Sequence, residues 1–107
     1  MAQVTNKVNA VVRGDLLVKV TGLLQRSIEA YASGYDNAAY VYQARAYCLY
    51  EFLEGHTSLE LPSFHAMTEG AITNHIETSG CPYAKLMNYG QAMRDLQDKL
   101  QDDYYKR

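Results

Sequence analysis

Leu16, Leu17, Val20, Leu23, Leu24, Ile28 and Tyr31 recur at steps of three and four residues. That spacing puts them on one face of an α-helix. The stripe continues backwards through Val12, Val8 and Val4 with no slip of phase at Gly14. The pattern therefore predicts one long helix from about Asn6 to Ala32. The alternative is a break at Gly14, with Asp15 capping a second piece. Each Gly inside a helix costs ~1 kcal/mol relative to Ala, so Gly14 and Gly22 are weak points. Ser33-Gly34 supplies the stop.

Asp36 is placed to cap a second helix. Its apolar stripe reads Ala38, Val41, Tyr42, Cys48, Leu49, Phe52 and Leu53, ending at Gly55. Arg45 falls within this stripe, where its aliphatic stem can lie on apolar surface while its head reaches water or a carboxylate. Tyr40, Gln43, Ala44, Tyr47, Glu51 and Glu54 fall on the opposite, solvent-facing side. Residues 55–62 read as a loop. Pro62 suits a first helical turn and Ser63 a cap. Phe64, Met67, Ala71, Ile72, His75 and Ile76 line the third helix, which Thr78-Ser79-Gly80 stops. Cys81-Pro82 opens the last helix, with Tyr83, Leu86, Met87, Gly90, Met93, Leu96, Leu100 and Tyr104 as its stripe. Gly90, in phase with that stripe, would permit a close helix crossing.

No stretch alternates convincingly with period two, and the best strand candidate, Val8 to Arg13, has a stronger helical phase. Short connections make successive helices antiparallel neighbours. The expected fold is all-α: a small antiparallel four-helix bundle with a long N-terminal helix, forming a single domain over residues 1–107. The main alternative is a long first helix protruding from a three-helix body.

Composition adds bounds. A chain of 107 residues, 48% hydrophobic and 21% charged, is ordinary globular usage. The net charge of −2 argues against direct nucleic-acid binding. It divides unevenly: +2 over residues 1–45, −5 over 46–84, where five Glu meet no Lys or Arg, and +1 over 85–107. Nothing reads as a signal peptide or membrane span. Two cysteines are too few for a disulfide framework, and the expected location is a reducing cytoplasm.

Candidate chemistry is sparse. His65 and Glu69 share a helical face at metal-ligand spacing, but a third ligand is far along the chain, so the reading is no metal and no cofactor. Cys48 reads as a small core hydrophobe. Cys81, at an expected helix N-terminus, is the one thiol whose environment favours reactivity, yet no base or oxyanion signature accompanies it. Scattered glycines form no phosphate loop. No catalytic residue is assigned, and an enzyme is not expected.

The stronger signal is tyrosine: ten Tyr against two Phe and no Trp, six of the ten between residues 31 and 50. Tyr40 and Tyr47, seven apart, share a helical face. Tyr brings large contact area at low rotamer cost, so such a face suits an interface. The expected function is a non-enzymatic protein-interaction module that inhibits or adapts a partner. Its contacts would be Tyr40, Gln43, Tyr47, Glu51 and Glu54. The cation-free acidic stretch points to a partner with a basic surface, and self-association through the same face is a further expectation. The alternative is a small-ligand or nucleotide-binding bundle with Arg45 as anion anchor and Tyr42 beside it. In composition alone, the chain resembles small phage-encoded proteins that act on host or defence machinery.

Overall fold

Val20, Leu24 and Ile28 are fully buried along one side of α1 (Ala10–Ala32), a single helix that passes through Gly14 and Gly22 without a break. It is followed by α2 (Asp36–His56), α3 (Phe64–Ser79), a 3-10 turn over Tyr83–Lys85, and α4 (Tyr89–Tyr105). This computed structural model describes residues 10–58 and 60–105, and among them there is no strand. Over the described residues the chain is thus an all-α bundle of four helices, the first of them the longest. The expected start of α1 near Asn6, and its stripe positions Val4 and Val8, lie outside the described residues.

Where α1 ends, Gly34 takes φ +87°. Its N–H donates to the Tyr31 carbonyl at 3.0 Å, and the Tyr35 N–H donates to the Ala30 carbonyl at 2.8 Å. This pair of bonds satisfies the last carbonyls of α1 and reverses the chain. Gly80 ends α3 in the simpler way, with φ 72° and one bond from its N–H to the Ile76 carbonyl. At the other end of α3, Ser63 is the cap and accepts from the Ala66 N–H at 3.0 Å. Pro62 therefore lies just outside the helix rather than in its first turn. Asp36 likewise is not a cap: Tyr35 occupies that position without a side-chain bond, and Asp36 is the first helical residue, where its carboxylate still meets the helix dipole.

The tight turn folds α2 back along α1, and this hairpin is the most extensive contact in the fold. Ala39, Ala46, Tyr50 and Leu53 form the buried line of α2. The apolar stripe expected for α2 is displaced around the helix: Val41 (46% exposed), Phe52 (47% exposed), Arg45 and Cys48 all face solvent. Cys48 is thus no core residue, and Arg45 is not embedded among apolar neighbours. Alanine at the contact sets a short distance between helix axes, so small side chains form this seam.

α3 packs on α1 and α4 packs on α2. α4 begins later than expected, because the chain after Cys81-Pro82 makes the 3-10 turn first. The Tyr89 N–H then donates to the Leu86 carbonyl at 3.0 Å. Cys81 is consequently not at the N-terminus of α4. Gly90 makes no close crossing either, since a Cβ there would meet only the Arg94 guanidinium, at 3.9 Å.

One polar chain crosses the core. Ser27 is fully buried, and its hydroxyl lies 2.6 Å from both the Ala39 carbonyl and the Tyr89 hydroxyl. A carbonyl only accepts, so the single Ser27 proton goes to Ala39, and Tyr89 donates to Ser27. The Tyr89 ring meets Tyr31 edge to face at 5.5 Å. α4, α1 and α2 are therefore joined through one directed pair of hydrogen bonds.

Glycines inside α1 and at its end give opposite expected results. A Cβ on Gly22 meets nothing within 4 Å, so Gly22→Ala should raise stability by about 0.5–1 kcal/mol through helix propensity. Gly34→Ala should lower it by about 1–2 kcal/mol, because an L-residue resists the left-handed conformation. Urea midpoints of the two variants, moving in opposite directions from wild type, check this.

Candidate functional site

Tyr40 and Tyr47 do share a wall, as their spacing implies. With Gln43, Ala44 and Cys48 of α2 they line a groove of about 380 Å³, completed by Phe64 at the start of α3 and Gln97 of α4. No lining residue is charged. Tyr40 is half-buried, whereas Tyr47 is 44% exposed. The Tyr47 ring is braced edge to face by Phe64 at 5.0 Å, and Phe64 is braced in turn by Tyr50 at 5.4 Å. Tyr47 is thus a large aromatic surface held in place by other rings, with its outer side in water.

Tyr50 anchors this aromatic cluster. Its hydroxyl donates to the Pro62 carbonyl at 2.6 Å, tying α2 to the segment before α3 and bringing Phe64 under Tyr47. Burial raises the Tyr50 pKa first, and the nearby Glu54 carboxylate and Tyr47 add to it. Glu54 itself lines a separate hollow with Tyr50, Thr57 and Leu61. Glu51 is exposed and outside the groove lining. Of the five expected contact residues, the structure therefore brings Tyr40, Gln43 and Tyr47 together and sets both glutamates apart.

The groove continues. Gln43, Phe64 and Gln97 also line a hollow of about 200 Å³ with His65, Thr68, Tyr89, Gly90, Met93 and Arg94. His65, Thr68, Tyr89, Gly90 and Arg94 then line a third, of about 240 Å³, which reaches Glu69, Ile72, Tyr83, Leu86, Met87 and Gln91. These shared walls make one channel between α3 and α4, running from Tyr83 and Met87 to Tyr40 and Tyr47. The channel exists because α3 and α4 each pack on the hairpin and make little contact with one another. Buried Tyr89 is part of its floor.

No spacing in the sequence assigns Arg94, Phe64 or Gln97 to this site. Phe64 comes from α3 and the other two from α4, whereas Tyr40 and Tyr47 belong to α2. The two alternative ligand residues stand elsewhere: Arg45 is exposed, Tyr42 is half-buried, and neither lines this channel. His65 and Glu69 are 3.8 Å apart on exposed surface, and among the described residues no group of three His, Cys, Asp or Glu side chains gathers around a metal-sized space. His56 is stacked on Phe52 at 4.2 Å, with Nδ1 2.8 Å from the Phe52 carbonyl. Cys81 is half-buried and its N–H donates to the Ser79 hydroxyl at 3.2 Å. Among the described residues no helix is long and apolar enough to cross a membrane.

No protein-family model matches this chain, and comparison with curated proteins and with solved structures likewise finds no match.

Proposed function

We propose that this protein is a non-enzymatic interaction module that seats a segment of a partner protein in the channel, with Tyr40 and Tyr47 as its main contacts. The observation that carries this reading is the uncharged aromatic groove. Two tyrosines, Gln43 and Gln97 surround a space of about 380 Å³, and Phe64 holds Tyr47 from below. Burying braced rings costs little rotamer freedom, and the amides give orientation to a bound backbone. Glu51 and Glu54 lie outside this groove and take a peripheral role, steering a basic partner surface during approach. Cys48, an exposed thiol in the groove wall, suits a reducing compartment.

A photo-crosslinking residue placed at Tyr47 tests this. The expected result in the native cell is one discrete crosslinked species, absent when the same residue is placed at Thr73, an exposed α3 position outside the channel. Loss of the species with Tyr40→Ala, while helical circular dichroism persists, supports the assignment. A ladder of products equal at both positions would sink it. A crosslink between two copies would identify the partner as a second chain.

A further inference from the structure

Among the described residues Arg94 is the only lysine or arginine that lines the channel, and its side chain has an unusual course. Asp98 stands one helical turn ahead, at the spacing that normally makes an ion pair. Arg94 nevertheless lies back over Gly90, and among the described residues it forms no ion pair. Its one hydrogen bond runs from Nη2 to Gln91 Oε1, at 3.2 Å. Gln91 is itself fixed, because its amide N–H donates to Asp95 Oδ1 at 2.8 Å. Asp95 therefore orients the Gln91 oxygen toward Arg94 while its own charge stays one residue removed. Arg94 is exposed, and among the described residues one of the five N–H donors in its planar fork is bonded, so the others face solvent or an incoming acceptor.

The surroundings point the same way. Gly90 leaves the space beside the guanidinium open, and the first turn of α4, with its partial positive charge, borders the channel. His65 and Thr68 face Arg94 across the same hollow. The charge balance selects the kind of anion. Among the described residues the lining holds one arginine and one carboxylate, Glu69, which lies beside His65, so a single guanidinium is better matched in charge to a monoanionic carboxylate than to a dianionic phosphate.

We propose that Arg94, positioned by Gln91 and Asp95, receives the carboxylate of an acidic residue in the segment that occupies the channel. This inference rests on the interaction reading above and gives its occupant a chemistry: one Asp or Glu side chain, flanked by an apolar residue that reaches Tyr40 and Tyr47. The partner's docking segment is therefore locally acidic, even where its wider surface is basic.

Phenylacetate, a carboxylate with an attached ring, serves as the probe in a titration of the full chain followed by amide NMR shifts. Saturable shifts are expected at Thr68, Gly90 and Gln97. Phenylacetamide and inorganic phosphate should bind at least about tenfold more weakly, matching the loss of a charge-assisted bidentate contact. Arg94→Gln should abolish the shifts, Arg94→Lys should weaken them, and Arg26→Gln, on exposed surface of α1, should leave them unchanged. Circular dichroism of Arg94→Gln checks that the fold persists. Equal binding of phenylacetamide, or unaltered binding by Arg94→Gln, overturns the proposal. Stronger binding of phosphate than of phenylacetate also overturns it. The Tyr47 crosslink separates the two readings. If Arg94→Gln keeps the crosslinked species, the carboxylate contact is wrong and the interaction module stands. If wild type gives no species, the interaction reading fails and the titration alone decides the role of Arg94.

Discussion

Truncating Tyr89 to alanine is expected to lower the unfolding free energy by about 3–5 kcal/mol, the range for deleting a buried aromatic ring. The ring is buried against Tyr31, and its hydroxyl completes the Ser27 connection between three helices. A small domain has a net stability of roughly 5–15 kcal/mol, so Tyr89→Ala sits near the edge of folding. Gentler variants separate ring from hydroxyl. Tyr89→Phe removes a donor yet leaves Ser27 bonded to Ala39, and should cost about 0.5–1.5 kcal/mol. Ser27→Ala strands a buried Tyr89 hydroxyl and should cost more, about 1–3 kcal/mol. The double variant Ser27→Ala with Tyr89→Phe should be less destabilised than the two losses added together. Urea unfolding of the four proteins gives these numbers. Strict additivity would mean that the hydroxyl pair contributes nothing.

Alkaline pH is expected to unlock the same joint. Burial pushes the Tyr89 hydroxyl from an ordinary 10.0 up to about 12. The Ser27 hydroxyl works in the opposite direction, since it can donate to the phenolate, but it does so only by leaving Ala39, and burial prevails. Folded Tyr89 thus keeps its proton where the unfolded chain has released it. The resulting stability is complete below pH 10.0 and is lost as the pH climbs toward about 12. About 2–3 kcal/mol is at stake, since each tenfold change in proton affinity is worth about 1.4 kcal/mol. Thermal melts across this window should fall more steeply for wild type than for Tyr89→Phe. Parallel decline of both proteins would exclude Tyr89 as the source.

The sequence pattern describes α1 well because its large apolar residues and its buried residues coincide at Val20, Leu24 and Ile28. It misplaces the face of α2 for a physical reason. The seam with α1 is built from Ala39 and Ala46, while Val41 and Phe52 stay outside. A stripe weighted by side-chain size follows the larger residues and lands on the wrong side of the helix. Arg45 falls among the apolar positions only because of that error. The groove is half legible. Tyr40 and Tyr47 betray themselves by a seven-residue spacing, but Phe64 and Gln97 join them only once three helices have packed. Arg94 is invisible for a different reason: its meaning lies in the direction of a side chain, turned toward Gly90 rather than Asp98, and a string of residues carries no direction.

The turn at Gly34 also bears on how the chain finds its shape. It makes the most extensive helix–helix contact among the described residues a local one, between helices joined by three residues, 33–35. Local contacts are reached quickly, because little loop entropy is lost in closing them. During synthesis this hairpin leaves the ribosome ahead of α4. Ser27 and the Ala39 carbonyl are then already side by side, and the last helix docks by presenting one tyrosine to an acceptor that waits for it.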